Sequence, residues 1–346
     1  MAGKPTSFDI AYLAGVSQPT VSRALRGSPA VSPETRRRIE DIARQLNYQV
    51  DKNASSLRSQ QSHTLALLLF EDPTPDDAQV NPFFLDMLGS ITRASARRGY
   101  DLLVSFQQMS RDWHKDYEDT HRADGLILLG YGDYTSYRGR LEQLVAQGTH
   151  FVRWGAVVAG QPGISVGCDN FRGGYDATRH LLALGRRRLA FLGDASDRCP
   201  EFQERYRGHV AALESLGLAP PEGARVDAIS TEESGYAAAL ELLGRGVEFD
   251  AVVAASDLIA ICMMRALQER AITVPDQVAV VGFDDIAAAS FTNPPLTTVM
   301  QDTRRAGEVL VDTLVRMIDE GRAEGSVLPT RLIVRRSCGA PAGPTA

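Results

Sequence analysis

The chain has 346 residues, 44% of them hydrophobic and 23% charged, with a net charge of −6; this is globular material for two or three domains. No apolar run approaches the ~18 residues of a membrane span, runs such as Leu65–Phe70 being strand-sized, and MAGKPTSFD lacks the basic and apolar segments of a secretory signal. Cys168, Cys199, Cys262 and Cys338 are far apart, without a disulfide framework or metal-ligand spacing, so a cytoplasmic protein with no metal, no cofactor and no membrane partner is expected.

Residues 1–60 carry nine Lys/Arg and five acids, a head of +4 on a remainder of −10. A basic head on an acidic body points to a head that alone meets phosphate. Thr6-Ser7-Phe8-Asp9 reads as a capping box and predicts a first helix with Ile10, Leu13 and Ala14 on its inner face. After the small-residue turn Ala14-Gly15-Val16, Ser17 caps a second helix with Pro19 in its first turn. Val21, Ala24 and Leu25, at i, i+3 and i+4, form its buried stripe, leaving Gln18, Pro19, Thr20, Ser22 and Arg23 on the polar side. An amide, two hydroxyls and a guanidinium are groups that reach base edges and phosphates from a major groove; a plain surface pair of helices is the alternative. Gly27-Ser28-Pro29 ends this helix. Ser32, Pro33 and Glu34 start a third, about Pro33–Leu46, burying Ile39, Ile42, Ala43 and Leu46.

Here the chain resembles the LacI/GalR (lactose-repressor) family of transcription regulators. The matching runs are T-S-F-D-I-A-Y-L-A-G-V-S-Q-P-T-V-S-R-A-L (6–25), V-S-P-E-T-R (31–36) and L-N-Y (46–48). The resemblance implies base readers at Gln18, Pro19 and Arg23, and phosphate contacts at Thr20, Ser22, Ser32, Thr35, Asn47 and Tyr48. Arg23 can make a bidentate contact to guanine, worth about 1–3 kcal/mol of discrimination, whereas Pro19 offers only apolar contact. The polar segment 53–59 is helix-compatible but too short to be stable alone. The resemblance implies a hinge helix there that orders on DNA, with Ala54 beside the phosphates and Leu57 as a minor-groove wedge. The family has Pro-Asn before this helix; this chain has Val50-Asp51.

From Thr64 short apolar strands alternate with amphipathic helices. Strands are predicted at Leu65–Phe70, Leu102–Phe106, Gly125–Leu129, Phe151–Trp154, Leu189–Gly193, Ala251–Ala255 and Val278–Phe283, and helices near 84–98, 137–147, 171–184, 202–216, 234–244 and 257–271. This alternation argues for parallel sheets in a doubly wound α/β arrangement, too long for one sheet and so divided between two lobes. The resemblance extends to about Cys338 through N-P-F-F (81–84), D-N-F-R-G-G (169–174), R-Y-R-G (205–208), S-D-L-I-A (256–260), V-P-D-Q-V-A-V-V-G-F-D-D (274–285) and P-P-L-T-T-V (294–299). It implies a body like the periplasmic sugar-binding proteins, two lobes joined by three crossovers with a ligand in the cleft. The expected division is 1–49 for the all-α helix-turn-helix domain, 50–62 for hinge helix and linker, and 63–338 for the effector-binding and dimerisation body. Within the body the first lobe takes about 63–168 plus 300–327 and the second about 169–297 plus 328–338, with 339–346 a disordered tail. No terminal leucine heptad follows, so a tetramerising tail is not expected.

Ligands of open α/β sheets sit outside the carboxyl ends of strands. Asp284 follows a strand and Arg205 heads R-x-x-G; by resemblance they are ligand-binding, and an acceptor with a forked donor suits the paired hydroxyls of a sugar. A structural ion pair is the alternative. Asp72, Asn81, Phe83 and Trp154 are candidates from the first lobe, the two aromatics either stacking on a sugar or packing at the rim. Ser256 and Asp257 follow another strand, where the family carries a pocket-lining acid or amide. Asp169 either lines the mouth or caps the next helix; Gln301 and Asp302 are weaker candidates. Arg186-Arg187-Arg188, at a helix C-terminus, is read as structural. No enzyme motif or metal cluster is present, and the Asp284-Asp285 pair points to two sides.

The expected protein is a homodimeric regulator, most simply a repressor of sugar-utilisation genes, with one recognition helix on each half of a pseudo-palindromic operator. A small sugar or glucoside in the cleft would favour one lobe arrangement and lower DNA affinity. A co-repressor response to a metabolite such as a nucleobase is the alternative. A solute-binding protein is disfavoured by the basic head.

Overall fold

The computed structural model describes residues 5–25, 27–48, 61–69, 80–106, 112–130 and 132–341. Ala54, Leu57 and Asp72 lie outside them. Contacts divide the chain into units Met1–Ser62 and His63–Ala346.

The first unit holds helices α1 (Ser7–Ala14), α2 (Gln18–Leu25) and α3 (Pro33–Gln45). Both halves of the capping box form: the Thr6 N–H and hydroxyl donate to Asp9 Oδ2 at 2.7 and 2.8 Å, and the Asp9 N–H donates back to Thr6 Oγ1. The bonds from Thr6 hold the Asp9 carboxyl below its ordinary range. Gly15 closes α1 at φ +62°, a left-handed cap that glycine adopts without strain. Ile10, Ala11 and Ala14 form the inner face, with Val21, Ala24, Val31, Ile39 and Ala43 completing the core. Leu13 was expected inward and is instead 56% exposed. At about 100° per residue, Ile10, Ala11 and Ala14 share one arc and Leu13 falls some 60° beyond its edge. The Ser17 carbonyl receives the Thr20 and Val21 amides, while its hydroxyl pairs with the Thr20 hydroxyl at 2.9 Å. The Arg36 guanidinium closes α2 from α3, donating to the carbonyls of Gly27 (3.1 Å) and Ser28 (2.6 Å).

In the second unit, strands β1 (Thr64–Leu69), β2 (Asp101–Phe106), β3 (Gly125–Leu129), β4 (Phe151–Trp154), β5 (Ile164–Cys168) and β11 (Ser326–Leu328) make an all-parallel sheet in the order β2-β1-β3-β4-β5-β11. A second sheet runs β7 (Arg225–Val226), β6 (Leu189–Leu192), β8 (Ala251–Ala254), β9 (Ala279–Asp284), β10 (Thr297–Gln301) and β12 (Thr330–Ile333), with only β12 antiparallel. Central strands such as β1 and β8 are apolar on both faces because helices cover both. Helices α4 (Pro82–Arg97), α5 (Tyr134–Ala146) and α10 (Thr303–Glu320) serve the first lobe. Those of the second are α6 (Asn170–Ala183), α7 (Pro200–Glu214), α8 (Glu232–Gly244) and α9 (Asp257–Glu269).

The chain crosses between lobes after Cys168, after Gln301 and after Leu328. The return to the first lobe was expected from residue 300, but Met300 pairs with Asp284 and Gln301 with Thr330, which keeps both in the second sheet. Gly339 and Ala340, expected in a disordered tail, bond back to the Arg336 carbonyl and to Cys338 Sγ. Strand β5 was not predicted. Its Gly167 passes so close to Gly155 that a Cβ would sit 1.9 Å from that carbonyl oxygen, and the glycine needed for this approach weakens the strand signal.

Candidate functional site

The first candidate surface is the outer side of α2. Pro19 and Arg23 are exposed there, and Thr20 and Ser22 are half-buried beside them. Gln18 is half-buried, its amide donating to Ser7 Oγ at 3.2 Å, so it is steadied from α1. The Ser32 hydroxyl caps α3 by accepting the Thr35 N–H and donates to Thr35 Oγ1. Asn47 takes a left-handed φ of +49°, and Tyr48 packs against the small core. Arg186, Arg187 and Arg188 belong to a turn: Arg186 donates to the carbonyls of Asp250 and Pro275, and the Arg187 and Arg188 amides to the Asp250 carboxylate.

The second site lies in the body, at the carboxyl ends of the strands. Helix α7 carries Arg205 to the end of β9, where its Nη1 stands 3.6 Å from Asp284 Oδ1 with both side chains 1% exposed. Arg205 Nε donates to Asn170 Oδ1 at 2.8 Å, Nη1 donates to the Ala255 carbonyl, and the guanidinium lies over Phe283, 3.7 Å from its ring centroid. Gln301 donates to Asp284 Oδ1 at 2.6 Å. Asp284 is held at φ +116° and Asp285 at +59°, conformations that side chains adopt at a cost and that gather at functional sites. Asp285 is fixed by Arg335 at 2.6 Å. An aimed acceptor, a forked donor and an amide therefore meet in one buried place, a set suited to polyhydroxylated ligands.

Three contacts join the lobes around this place. Asn81 caps α4 through its Oδ1 and donates from Nδ2 to Ser230 Oγ at 3.0 Å; Ser230 in turn donates to Ser256 Oγ at 2.7 Å. The Ala156 N–H donates to Glu201 Oε1 at 2.7 Å, and the Tyr134 N–H to the Arg198 carbonyl at 2.9 Å. Ser256 is the N-cap of α9. Phe83 and Trp154 are buried with ring centroids 6.2 Å apart, which is the packing alternative. Asp169 caps α6 through the Arg172 N–H. Asp257 is a correction: both its oxygens are engaged inside the second lobe, by the Thr298 hydroxyl at 2.5 Å and the Ile286 N–H at 2.9 Å. Burial, with the Asp284 charge next, pushes its carboxyl well above the ordinary range. It braces the strand end that presents Asp284.

Glu201, Asn170, Ser230, Arg153 and Tyr134 were not singled out from the sequence. Glu201 was findable, since it lies one turn before Arg205 on the same helix face. The others come together only through the crossovers. Among the described residues no helix is long and apolar enough to cross a membrane, and no three His, Cys, Asp or Glu side chains are grouped to hold a metal ion.

Comparison with known proteins fits this geometry. Residues 8–51 match the model for bacterial regulatory proteins of the lacI family, and residues 178–338 match that for a periplasmic binding protein-like domain. The chain is 31% identical to the ribose operon repressor of Escherichia coli over 320 residues, 91% of this chain and 93% of that protein. It is 32% identical to the HTH-type transcriptional regulator CelR of Thermobifida fusca over 341 residues, 96% of this chain and 98% of the other. A solved CelR–cellobiose complex superposes with a TM-score of 0.71 at 31% identity, covering 96% of this chain and 99% of that one. A lac repressor dimer bound to operator and the anti-inducer ONPF gives 0.82 at 25% identity, over 98% and 100%. The two-unit architecture, the three-helix first unit and the similarity along nearly the whole length converge: the chain belongs to the lacI family of bacterial regulatory proteins.

Proposed function

We propose that this protein is a cytoplasmic, homodimeric repressor of carbohydrate-utilisation genes. It leaves a pseudo-palindromic operator when a small sugar or glucoside lies between the two lobes. The observation that carries the reading is the buried Arg205–Asp284–Gln301 group at the strand ends, set in a chain whose relatives include a ribose operon repressor and a regulator solved in complex with cellobiose. Gln18, Pro19, Arg23 and the Leu57 wedge read bases. Thr20, Ser22, Ser32, Thr35, Asn47, Tyr48 and Ala54 face phosphates. Arg205 and Asp284 hold the ligand hydroxyls, with Asn81, Ser256 and Asp169 at the cleft edge, Phe83 and Trp154 as the first-lobe wall, and Asp72 as a further ligand-binding residue.

The test is a gel shift of the full chain on upstream fragments of its own genome, with a sugar panel added. Specific retardation that weakens steeply with salt and is released by a sugar is expected. No specific retardation refutes the regulator reading. A ligand that strengthens retardation reverses the sign to co-repression. Full release in Arg205→Ala and Asp284→Ala would overturn the pocket.

A further inference from the structure

The ligand place has a first-lobe half whose chemistry differs from the Arg205–Asp284 group. Arg153, on β4, is 2% exposed. Its Nη2 donates to the Ala156 carbonyl and to Gln161 Oε1, and it is hydrogen-bonded to the Tyr137 hydroxyl. Its Nε is buried with no partner, and no carboxylate among the described residues forms an ion pair with it. Tyr134, the first residue of α5, lies under the same guanidinium, 5.1 Å from ring centroid to Cζ, and its hydroxyl is likewise buried without a partner. Both residues border the second lobe, Tyr134 through its N–H to Arg198 and Arg153 through the Ala156–Glu201 contact.

Buried charges are ordinarily paired, and an unmet buried donor loses the hydration it had in the unfolded chain. A guanidinium Nε–H can only donate. The unmet donor therefore calls for an acceptor, and for one with charge. Glu201 limits how much charge: a Cβ at Gly155 would meet Glu201 Oε1 at 2.8 Å and Arg153 Nη1 at 3.1 Å, so that carboxylate stands beside the guanidinium and opposes a dianion. We propose that the effector is a sugar acid whose carboxylate is received by Arg153 Nε and the Tyr134 hydroxyl. Its ring hydroxyls then meet Arg205, Asp284 and Gln301. This rests on the reading that a sugar lies between the lobes, and it names that sugar's class.

The experiment is calorimetric titration of the full chain with matched sets: glucose, glucuronate, gluconate and glucose 6-phosphate, and the corresponding ribose, galactose and cellobiose series. One acid is expected to bind at least about tenfold tighter than its neutral parent, the worth of one charge-assisted bond. Arg153→Gln should abolish that preference. Tyr134→Phe, which keeps the ring and so the packing, should weaken the same acid about three- to tenfold without weakening the parent sugar. A neutral sugar that binds as well as or better than its acid overturns this inference and leaves the sugar-effector reading standing, as does a phosphate that outcompetes every acid. Unchanged acid affinity in both variants also overturns it. If no member of any set binds, the sugar-effector reading fails and takes this one with it.

Discussion

The Arg205–Asp284 pair allows a quantitative test of the site through stability alone. Removing one partner from a buried pair leaves the other charge uncompensated, which costs about 3–5 kcal/mol. Arg205→Met retains much of the side-chain volume over Phe283 but removes the cation that faces Asp284, a carboxylate buried at 1% side-chain exposure. Asp284→Asn keeps the shape of the acid and leaves the guanidinium uncompensated. Each single variant is therefore expected to lose about 3–5 kcal/mol, and the double variant about 1–3 kcal/mol less than the sum, because neither charge is then stranded. Urea unfolding of the full chain followed by tryptophan fluorescence reports the body by itself, since both tryptophans, Trp113 and Trp154, lie there. Losses that add within about 0.5 kcal/mol would show that the two groups do not interact, and the electrostatic account of the cleft would fall. Effector response should be lost in all three proteins, the rescued double variant included, since ligand contact needs the groups and not merely the fold.

Three further outcomes follow from single residues. Asp284 at φ +116° strains any side chain, so Asp284→Gly should be about 1–2 kcal/mol more stable than Asp284→Ala while both lose effector release; equal stabilities in thermal unfolding would contradict the strain. His209 is fully buried, and burial holds its pKa at about 3 against an ordinary 6.5. The Thr178 hydroxyl donates to the Gly174 carbonyl, so it accepts from His209 Nδ1–H, and Nε2 stays unprotonated without a partner. A group depressed in the folded state gives stability that is whole above pH 6.5 and lost as pH falls toward 3, at up to about 1.4 kcal/mol per pH unit. His209→Phe should be close to neutral at pH 7 and flatten that acid decline; an unaltered pH profile would refute the burial argument. Arg23→Lys should lose the fork that spans a guanine, weakening operator binding by about 1–3 kcal/mol and relaxing preference at one base pair; uniform weakening across all sequences would make Arg23 a phosphate contact.

The elements were legible where local chemistry decides them. Thr6 and Asp9 announce the start of α1, Ser32 and Pro33 that of α3, and the apolar runs of β1, β3 and β9 are long enough to be read without neighbours. Strands β7, β11 and β12, of two to four residues, carry too little pattern, and β5 hides behind a glycine that only the neighbouring Gly155 explains. The ligand group divided in the same way. Arg205 and Asp284 stood out through motif, whereas Asp257 was misassigned because sequence gives its place after β8 but not the direction of its carboxylate. Thr298 and Ile286, which turn it inward, are 41 and 29 residues away.

That distance dependence bears on how an effector could act. The lobes are already linked by Asn81 to Ser230, Ala156 to Glu201 and Tyr134 to Arg198. Each such bond is worth about 0.5–1.5 kcal/mol net, so together they tilt the lobe arrangement by a few kcal/mol without a ligand. An effector need not hold the lobes together; it has only to outweigh or add to a bias of that size. Carrying such an equilibrium from 1:99 to 99:1 takes about 5.5 kcal/mol of differential affinity. Contacts to one lobe bind both arrangements alike and contribute nothing to it. The differential must come from groups that meet the ligand from opposite sides, Arg205 and Asp284 from one lobe and Arg153 and Tyr134 from the other. Arg153→Gln should for that reason reduce operator release by more than it reduces binding of a neutral sugar to the isolated Arg205–Asp284 side.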